Sequence, residues 1–452
     1  MATETLDARA GTRSVRRRPI LGDLARLRND PLGLFAEAAA SGRDVVRFRA
    51  AHRNVFLAVA AEAIAHVGIH NRDNYVKGVS YDALRVPLPN ALLTIDGEEA
   101  RERRKLLMPL FTRRSLVGEV PTIAAAVEAL CERWDSYADS GAEFDLYSEM
   151  NRLTFDVVGR ILVGAELGED MGRLESRLAH ASAWVARRTR ALVPLPTSIP
   201  TPRNLSYRRA ARELTAWVDG LVASRRAGGS DGAAARLVAA RGGGGEGMDD
   251  GQLRDEVAAF LMAGYQTTAS ALSWSWYLMS RHPEIQERFA QAADIALDGG
   301  PPDAARLDVV PYIGQVLDES MRLYPPGWAF TRTPLEDDVV CGEPVPAGSI
   351  VIVSSYANHH SPRFWEDPEV FDPERFAPGR RESIPACGYF PFGVGPHSCI
   401  GKHMAEIESK LALAMLARRY RVVPASRAPV AATPAITLTP AEPIRVRVER
   451  RR

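Results

Sequence analysis

A mainly helical fold is the first prediction from this sequence. It rests on two segments in which apolar residues recur at helical spacing, Val309 to Tyr324 and the run that follows Cys399, and on a third, about Leu253 to Arg281, bracketed by a capping and a stop signal. A chain of 452 residues with 46% hydrophobic content can also bury a large core. Length alone allows two or three domains. No linker separates two differently patterned halves, however, and no internal repeat is visible. The expectation is a disordered basic stretch at 1–20 and a single domain over 21–452.

In chain order, residues 1–20 are polar and Arg-rich, without the apolar run of a signal peptide or membrane anchor. Pro194–Pro202 reads as a loop. Ala227–Gly251, rich in Gly and Ala and including Gly242–Gly245, reads as a flexible loop before the longest helix. That helix starts after Asp249-Asp250 and stops before Pro283, a capping signal and a stop signal. At 1.5 Å per residue it is on the order of 40 Å long, enough to cross a domain. Its middle reads Ala263-Gly-Tyr-Gln-Thr-Thr-Ala-Ser270, and hydroxyls there ordinarily bond back to the preceding turn. Val257–Ser280 is long enough to span a bilayer, but Gln266, Thr267, Thr268 and the interspersed serines make it a poor span.

The next helix carries Val309, Ile313, Val316, Leu317, Met321 and Tyr324 on one face, and Pro325-Pro326 ends it. Glu319 and Arg322 lie three apart and can pair. On a surface such a pair is worth little. The chemically richest stretch is Phe392-Gly-Val-Gly-Pro-His-Ser-Cys-Ile-Gly401. Ile400, Met404, Ile407, Leu411 and Met415 then recur at helical spacing, so Cys399 is expected to enter a helix. There the backbone dipole and free N–H groups favour a thiolate. The glycines allow close approach of a flat ligand. A thiolate on such a loop suits thiolate-ligated haem iron. The commoner fate of a lone cysteine is a buried structural thiol. A dinucleotide fingerprint at Gly393-x-Gly395-x-x-Ser398 lacks its preceding strand and third glycine.

The Cys399 stretch resembles the cytochrome P450 signature, Phe-Gly-x-Gly-x-[Arg/His]-x-Cys-x-Gly, with His397 where arginine is more frequent. Other segments resemble the same family in the same order. Ala263–Thr268 resembles Ala-Gly-x-[Asp/Glu]-Thr-Thr, and Glu319-x-x-Arg322 is followed by Leu-Tyr-Pro-Pro. Trp365-x-x-Pro-Glu-x-Phe371-Asp-Pro-Glu-Arg-Phe376 matches the downstream loop, and Asp96–Arg104 resembles Asp-x-x-x-[His/Trp]-x-x-x-Arg with Ala100 in the ring position. The resemblance covers roughly residues 20–450. It implies the P450 fold, mainly helical with a smaller β-sheet region.

The resemblance also implies roles. Cys399 would be the axial ligand of haem b, cradled by Phe392, Gly393 and Gly401. Ala263 and Gly264 would leave room for dioxygen, and Thr267 would steer protons. Gln266 departs from the pattern, because an amide can donate and accept hydrogen bonds but cannot relay a proton as a carboxylate does. Waters organised by Thr267 would then carry the protons. Arg104, Arg332 and His397 would meet the haem propionates, while Arg101 and Arg103 are expected at the solvent surface. Glu319, Arg322 and Arg375 would form a buried clamp, structural rather than catalytic. Pocket candidates are the loop around Tyr81–Leu92, Phe260, Trp328, Phe330, Ile436 and Thr437. Core packing is an equal prospect for Trp328 and Phe330. These residues are mainly apolar, which suits a terpenoid, polyketide, fatty acyl or aromatic substrate.

The implied reaction is hydroxylation or epoxidation of a small apolar molecule by activated dioxygen. Its implied setting is bacterial secondary metabolism, in keeping with the excess of arginine over lysine. No flavin or iron–sulfur domain is recognisable, so electrons would come from separate proteins, a ferredoxin and its reductase. Two other readings stay open. One is a P450-fold enzyme of other chemistry: oxidative coupling, desaturation or peroxide-driven oxidation. The other is a haem-thiolate sensor or carrier, against which the retained Thr267 counts. A formal charge of +1 implies neither nucleic acid nor an anionic bilayer as partner. Cys131, Cys341, Cys387 and Cys399 show no metal-ligand spacing, and a disulfide framework is not expected in a chain of this size. A soluble, cytoplasmic protein without a membrane anchor is the expectation.

Overall fold

The computed structural model describes residues 23–50, 53–163, 171–191, 194–227, 233–240, 247–298 and 300–451; the stretch 1–20, expected to be disordered, lies outside them. The helices that shape the molecule are α1 (Pro31–Ala39), α2 (Gly97–Leu107), α3 (Val120–Ser140), α4 (Leu146–Val163) and α5 (Met171–Thr189). They continue with α6 (Pro202–Arg226), α7 (Asp250–Arg281), α8 (Pro283–Leu297), α9 (Pro311–Leu323) and α10 (Lys402–Arg419).

Helix α7 is the axis of the fold. The Gln252 N–H donates to Asp249 Oδ1 at 2.8 Å and the Asp249 N–H donates to Gln252 Oε1 at 3.1 Å, a reciprocal cap that sets the helix start. From Thr268 to Ser280 every residue of α7 is buried, so this half is enclosed on all sides. The Ser273 and Ser275 hydroxyls donate back to the Ala269 and Ala271 carbonyls at 2.6 and 2.8 Å, which lets serine sit in an apolar interior. Among the described residues no helix is long and apolar enough to cross a membrane.

Two helical cores flank α7. One gathers Trp134 of α3, Trp274 and Trp276 of α7, Leu317 of α9, Leu413 of α10 and Tyr420. The other joins Phe155 of α4, Leu178 of α5 and Val218 of α6 to Val257, Leu261 and Tyr265 of α7. Beside them lies a five-stranded sheet built from β1 (Val45–Ala50), β2 (Arg53–Ala58), β3 (Tyr75–Val76), β4 (Phe330–Pro334) and β5 (Ile350–Val353), in the order β1-β2-β5-β4-β3. Strands β2 and β5 run parallel with Val55 opposite Ile350, and the other pairings are antiparallel.

Alternation along these strands buries both faces of the sheet. Phe56, Ala58, Val351 and Val353 pack with Ile64, Phe390 and Val394, whereas Val55, Leu57 and Ile352 pack with Leu34 and Phe35 of α1. The first face therefore anchors the loop that leads to Cys399. Two expectations change. Val309 is exposed at the end of a short preceding helix, Ala304–Val309, because Pro311 starts α9 afresh. The stretch 227–251 is not all loop, since Ala233–Ala239 is helical, while 228–232 and 241–246 lie outside the described residues.

Candidate active site

The scaffold beneath the site is a buried charge cluster. Glu319 and Arg322, three apart on α9, are both fully buried, and Arg322 Nε and Nη2 donate to the Glu319 carboxylate at 2.7 and 2.8 Å. Arg322 also donates to the carbonyls of His359, Pro368 and Val370 at 2.8, 2.7 and 3.1 Å. Arg375 lies 3.5 Å from Glu319 and donates to the Asp367 carbonyl at 2.9 Å. Burial pushes the Glu319 carboxyl up, and Arg322, the Asp372 N–H and Arg375 oppose it. The geometry brings Glu319, Arg322 and Arg375 together, and it fastens residues 359–372 to α9.

The Cys399 loop is a tight turn. The Cys399 N–H donates to the Phe392 carbonyl at 2.8 Å, and the Ser398 N–H to the Gly395 carbonyl at 3.0 Å. Gly395 has φ +65°, and a Cβ there would collide with the Gly68 carbonyl oxygen. That glycine is needed for packing against the chain itself, not only for a ligand's approach. Helix α10 has its N-cap at Gly401, so Cys399 precedes the helix instead of entering it. The Cys399 side chain is open to a cavity but otherwise enclosed by protein. Burial pushes its thiol up; the Gly401 N–H and then Arg104 pull it down. Burial thus works against the thiolate here, whereas a bound metal cation favours a deprotonated coordinating thiol.

The cavity has a volume of about 660 Å³. Phe260, Ala263, Gly264 and Thr267 of α7 line it, as do Phe330, Arg332, Phe392, Gly393, His397, Cys399, Gly401 and Arg104. Of the four cysteines only Cys399 does so: Cys131 lies in the helical core, Cys341 is exposed, and Cys387 packs beside Phe390 and Val394. The Thr267 hydroxyl donates to the Ala263 carbonyl at 2.7 Å, leaving its oxygen free to accept. Gln266, the preceding residue of α7, is half-buried and off the cavity wall.

Three pocket candidates do not reach the wall. Trp328 stacks on Phe35 with ring centroids 5.9 Å apart and donates to the Ala435 carbonyl at 2.9 Å, so it is core packing. Ile436 is exposed at the turn between the strands Ala432–Pro434 and Leu438–Pro440, and Thr437 is buried beside it without reaching the cavity. Among the loop residues 81–92, Tyr81 and Leu92 line the cavity.

Cations gather at one side of this space. Arg332 is buried, donates only to the Thr331 carbonyl at 2.8 Å, and lies 4.8 Å over the Phe330 ring. Arg104 donates to the Ser398 carbonyl and hydroxyl at 2.9 and 3.4 Å. His397 is held at about 3, by burial first and then by Arg332, Lys77 and Arg104. None of Arg104, Arg332 and His397 is paired with a carboxylate among the described residues. Two arginines without a carboxylate partner and a neutral imidazole, beside a cysteine sulfur and an apolar wall, fit a haem with two carboxylates. Lys77 belongs to the cluster too, and nothing local in the sequence marks it. Ala100, also on the wall, supplies no ring N–H.

Arg103 corrects an expectation. It is buried, with Nη1 donating to Glu256 at 2.9 Å, whereas Arg101 is exposed and paired with Glu98 and Asp73. The signal was present: Ala100, Arg103 and Leu107 share one face of α2 and are all buried.

A family model described as cytochrome P450 matches residues 13–448. The chain belongs to the cytochrome P450 family. Over 90% of its length this P450 is 33% identical to cyclooctat-9-en-7-ol 5-monooxygenase of Streptomyces melanosporofaciens, of which 88% is covered. It is 29% identical to pentalenene oxygenase of Streptomyces avermitilis, with 89% of each chain covered. In fold it is similar to the haem domain of cytochrome P450DA, at a TM-score of 0.87 and 23% identity over 97% of each chain. The predicted fold class is borne out, as is the reading of an enzyme. The protein is a cytochrome P450 monooxygenase, and its cofactor is a haem whose iron is ligated by cysteine.

Proposed function

We propose that this P450 oxygenates a mainly apolar, cyclic terpenoid with electrons from a separate ferredoxin and reductase, in the cytoplasm, as a single P450 domain. The carrying observation is that the Cys399 sulfur, the Thr267 hydroxyl and the unpaired arginines share one cavity. When bound, the haem supplies reductive activation of dioxygen and insertion of one oxygen atom. Cys399 would hold its iron, and Arg104, Arg332 and His397 its propionates. The similarity to two oxygenases named for terpenoid compounds supports the substrate class.

The chain's own residues do the remaining work. Leu110, Phe111, Val158, Ile161, Leu162 and Phe260 line the cavity and exclude water from it. Ala263 and Gly264 leave space where their side chains end. The Thr267 oxygen accepts a hydrogen bond from a water while its own proton rests on the Ala263 carbonyl; turning that proton into the cavity makes it a donor. Gln266 neither holds an acidic proton nor faces the cavity, so Thr267 and the waters it orders supply protons at this wall. The test is turnover of a terpene panel by haem-loaded enzyme with surrogate ferredoxin and reductase under labelled dioxygen. One labelled oxygen atom per product molecule is expected. Oxidant consumption without labelled product from any terpene would overturn the substrate class.

A further inference from the structure

Backbone groups of residues 90–95 are held by buried charges from three directions. Asp255 Oδ2 on α7 accepts the Asn90 N–H at 2.9 Å and the Asn90 side-chain amide at 3.1 Å. Glu256 Oε1, the next residue, accepts the Leu92 N–H at 2.8 Å and Arg103 Nη1 at 2.9 Å. The same Arg103 nitrogen donates to the Asn90 carbonyl at 2.9 Å. Lys77 Nζ donates to the Leu92 carbonyl at 3.0 Å and to the Ile95 carbonyl. Asp255, Glu256, Arg103 and Lys77 are 4%, 1%, 5% and 5% exposed.

Burying charged groups is costly, and each of these is offset by bonds to the segment or to an opposite charge. Glu256 and Lys77 reach the cavity wall, but Arg103 and Asp255 do not, so the cost of burying these two does not serve the haem cradle directly. What the held segment presents to the cavity is Leu92 and Leu93. Leu93 packs with Ala258, Ala259 and Met262 of α7, and Leu92 joins the cluster containing Phe260. These are the turns between Glu256 and Ala263.

We propose that Glu256, with Arg103, is a positioning residue for substrate selection, locking Leu92 and Leu93 against α7 so that the distal wall keeps one shape. The inference rests on the haem-pocket reading above. Asp255 and Lys77 complete the lock from either side, and a flexible loop is thereby made a fixed wall.

The test uses haem-loaded enzyme and two iron ligands, imidazole and 4-phenylimidazole, titrated by the shift of the Soret band. Only the second carries a phenyl ring that can meet the apolar wall, so the ratio of the two Kd values reads wall shape. Glu256→Ala should lower the preference for 4-phenylimidazole by about tenfold, the equivalent of one buried hydrogen bond. Amide exchange at Asn90 and Leu92 should quicken with it. Glu256→Gln keeps an acceptor for the Leu92 N–H and should stay within about twofold of wild type. An unchanged ratio in Glu256→Ala, or unchanged exchange, overturns the proposal. Should Glu256→Ala yield no holoprotein, Asp255→Ala, which frees Asn90, takes the same two readings with the same expectation. Loss of the thiolate carbon monoxide band in wild type would strike the haem reading instead.

Discussion

Arg322→Ala should be among the most damaging single substitutions in this protein. All five guanidinium N–H groups of Arg322 are used: two on the Glu319 carboxylate and three on the His359, Pro368 and Val370 carbonyls. Removing the side chain strands a buried carboxylate, at about 3–5 kcal/mol. Three carbonyls lose a donor as well, each worth about 1–3 kcal/mol if water does not reach them. The total, roughly 6–14 kcal/mol, matches the whole net stability of a typical protein, about 5–15 kcal/mol.

Glu319→Ala is milder, because Arg322 keeps its three carbonyls and Arg375 keeps Asp367. That leaves about 3–5 kcal/mol for the unpaired cation and about 1–3 kcal/mol for the Asp372 N–H, which loses its acceptor, roughly 4–8 kcal/mol in all. The assay is soluble yield and haem content per chain, followed by urea unfolding of whatever folds. No holoprotein is expected from Arg322→Ala and a reduced, less stable yield from Glu319→Ala. Normal yield from Arg322→Ala, or a worse outcome for Glu319→Ala than for Arg322→Ala, would refute the reasoning.

Thr267→Ala should retain haem and substrate binding but divert electrons to hydrogen peroxide, read as product formed per reduced cofactor consumed; unchanged coupling would show that protons take another path. Gln266→Glu should leave coupling equal or better, and a collapse of activity would show that the amide has its own role. Arg332→Ala and Arg104→Ala should each speed haem loss to apomyoglobin by about 10- to 100-fold, the worth of one charged hydrogen bond. Glu256 is raised from 4.5 to about 6, by burial first, with the Leu92 N–H and Arg103 opposing. The folded state then binds its proton more tightly than the unfolded state, so this residue favours folding below pH 4.5 and loses that contribution as pH rises through about 6. Wild type should therefore gain about 2 kcal/mol on Glu256→Gln between pH 7.5 and pH 4 in urea unfolding; a constant difference would contradict it.

What the sequence made legible was local. Asp249, helical period and Pro283 bracket α7 to within a few residues, because cap, face and stop all lie within the helix's own span. Cys399 and its glycines were visible for the same reason, although the Phe392 carbonyl takes the Cys399 N–H and delays the helix to Lys402. Non-local pairings were not legible. Strand β3 is two residues long and exists only against Thr333 and Pro334 of β4. Arg103 looked like surface charge because its partner Glu256 lies 153 positions away. Trp328 is apolar and flanked in sequence by the wall residues Gly327 and Ala329, yet it stacks on the Phe35 ring, and Ile436 sits at the exposed connection between two short strands. A pattern reports which face is buried, not what it is buried against.

The central claim, that Cys399 holds the haem iron, is tested most directly by the carbon monoxide spectrum of the reduced enzyme. Wild type should show the red-shifted Soret band of thiolate-ligated haem, and Cys399→Ala should lose it while Cys387→Ala keeps it. A thiolate band surviving in Cys399→Ala would contradict the account.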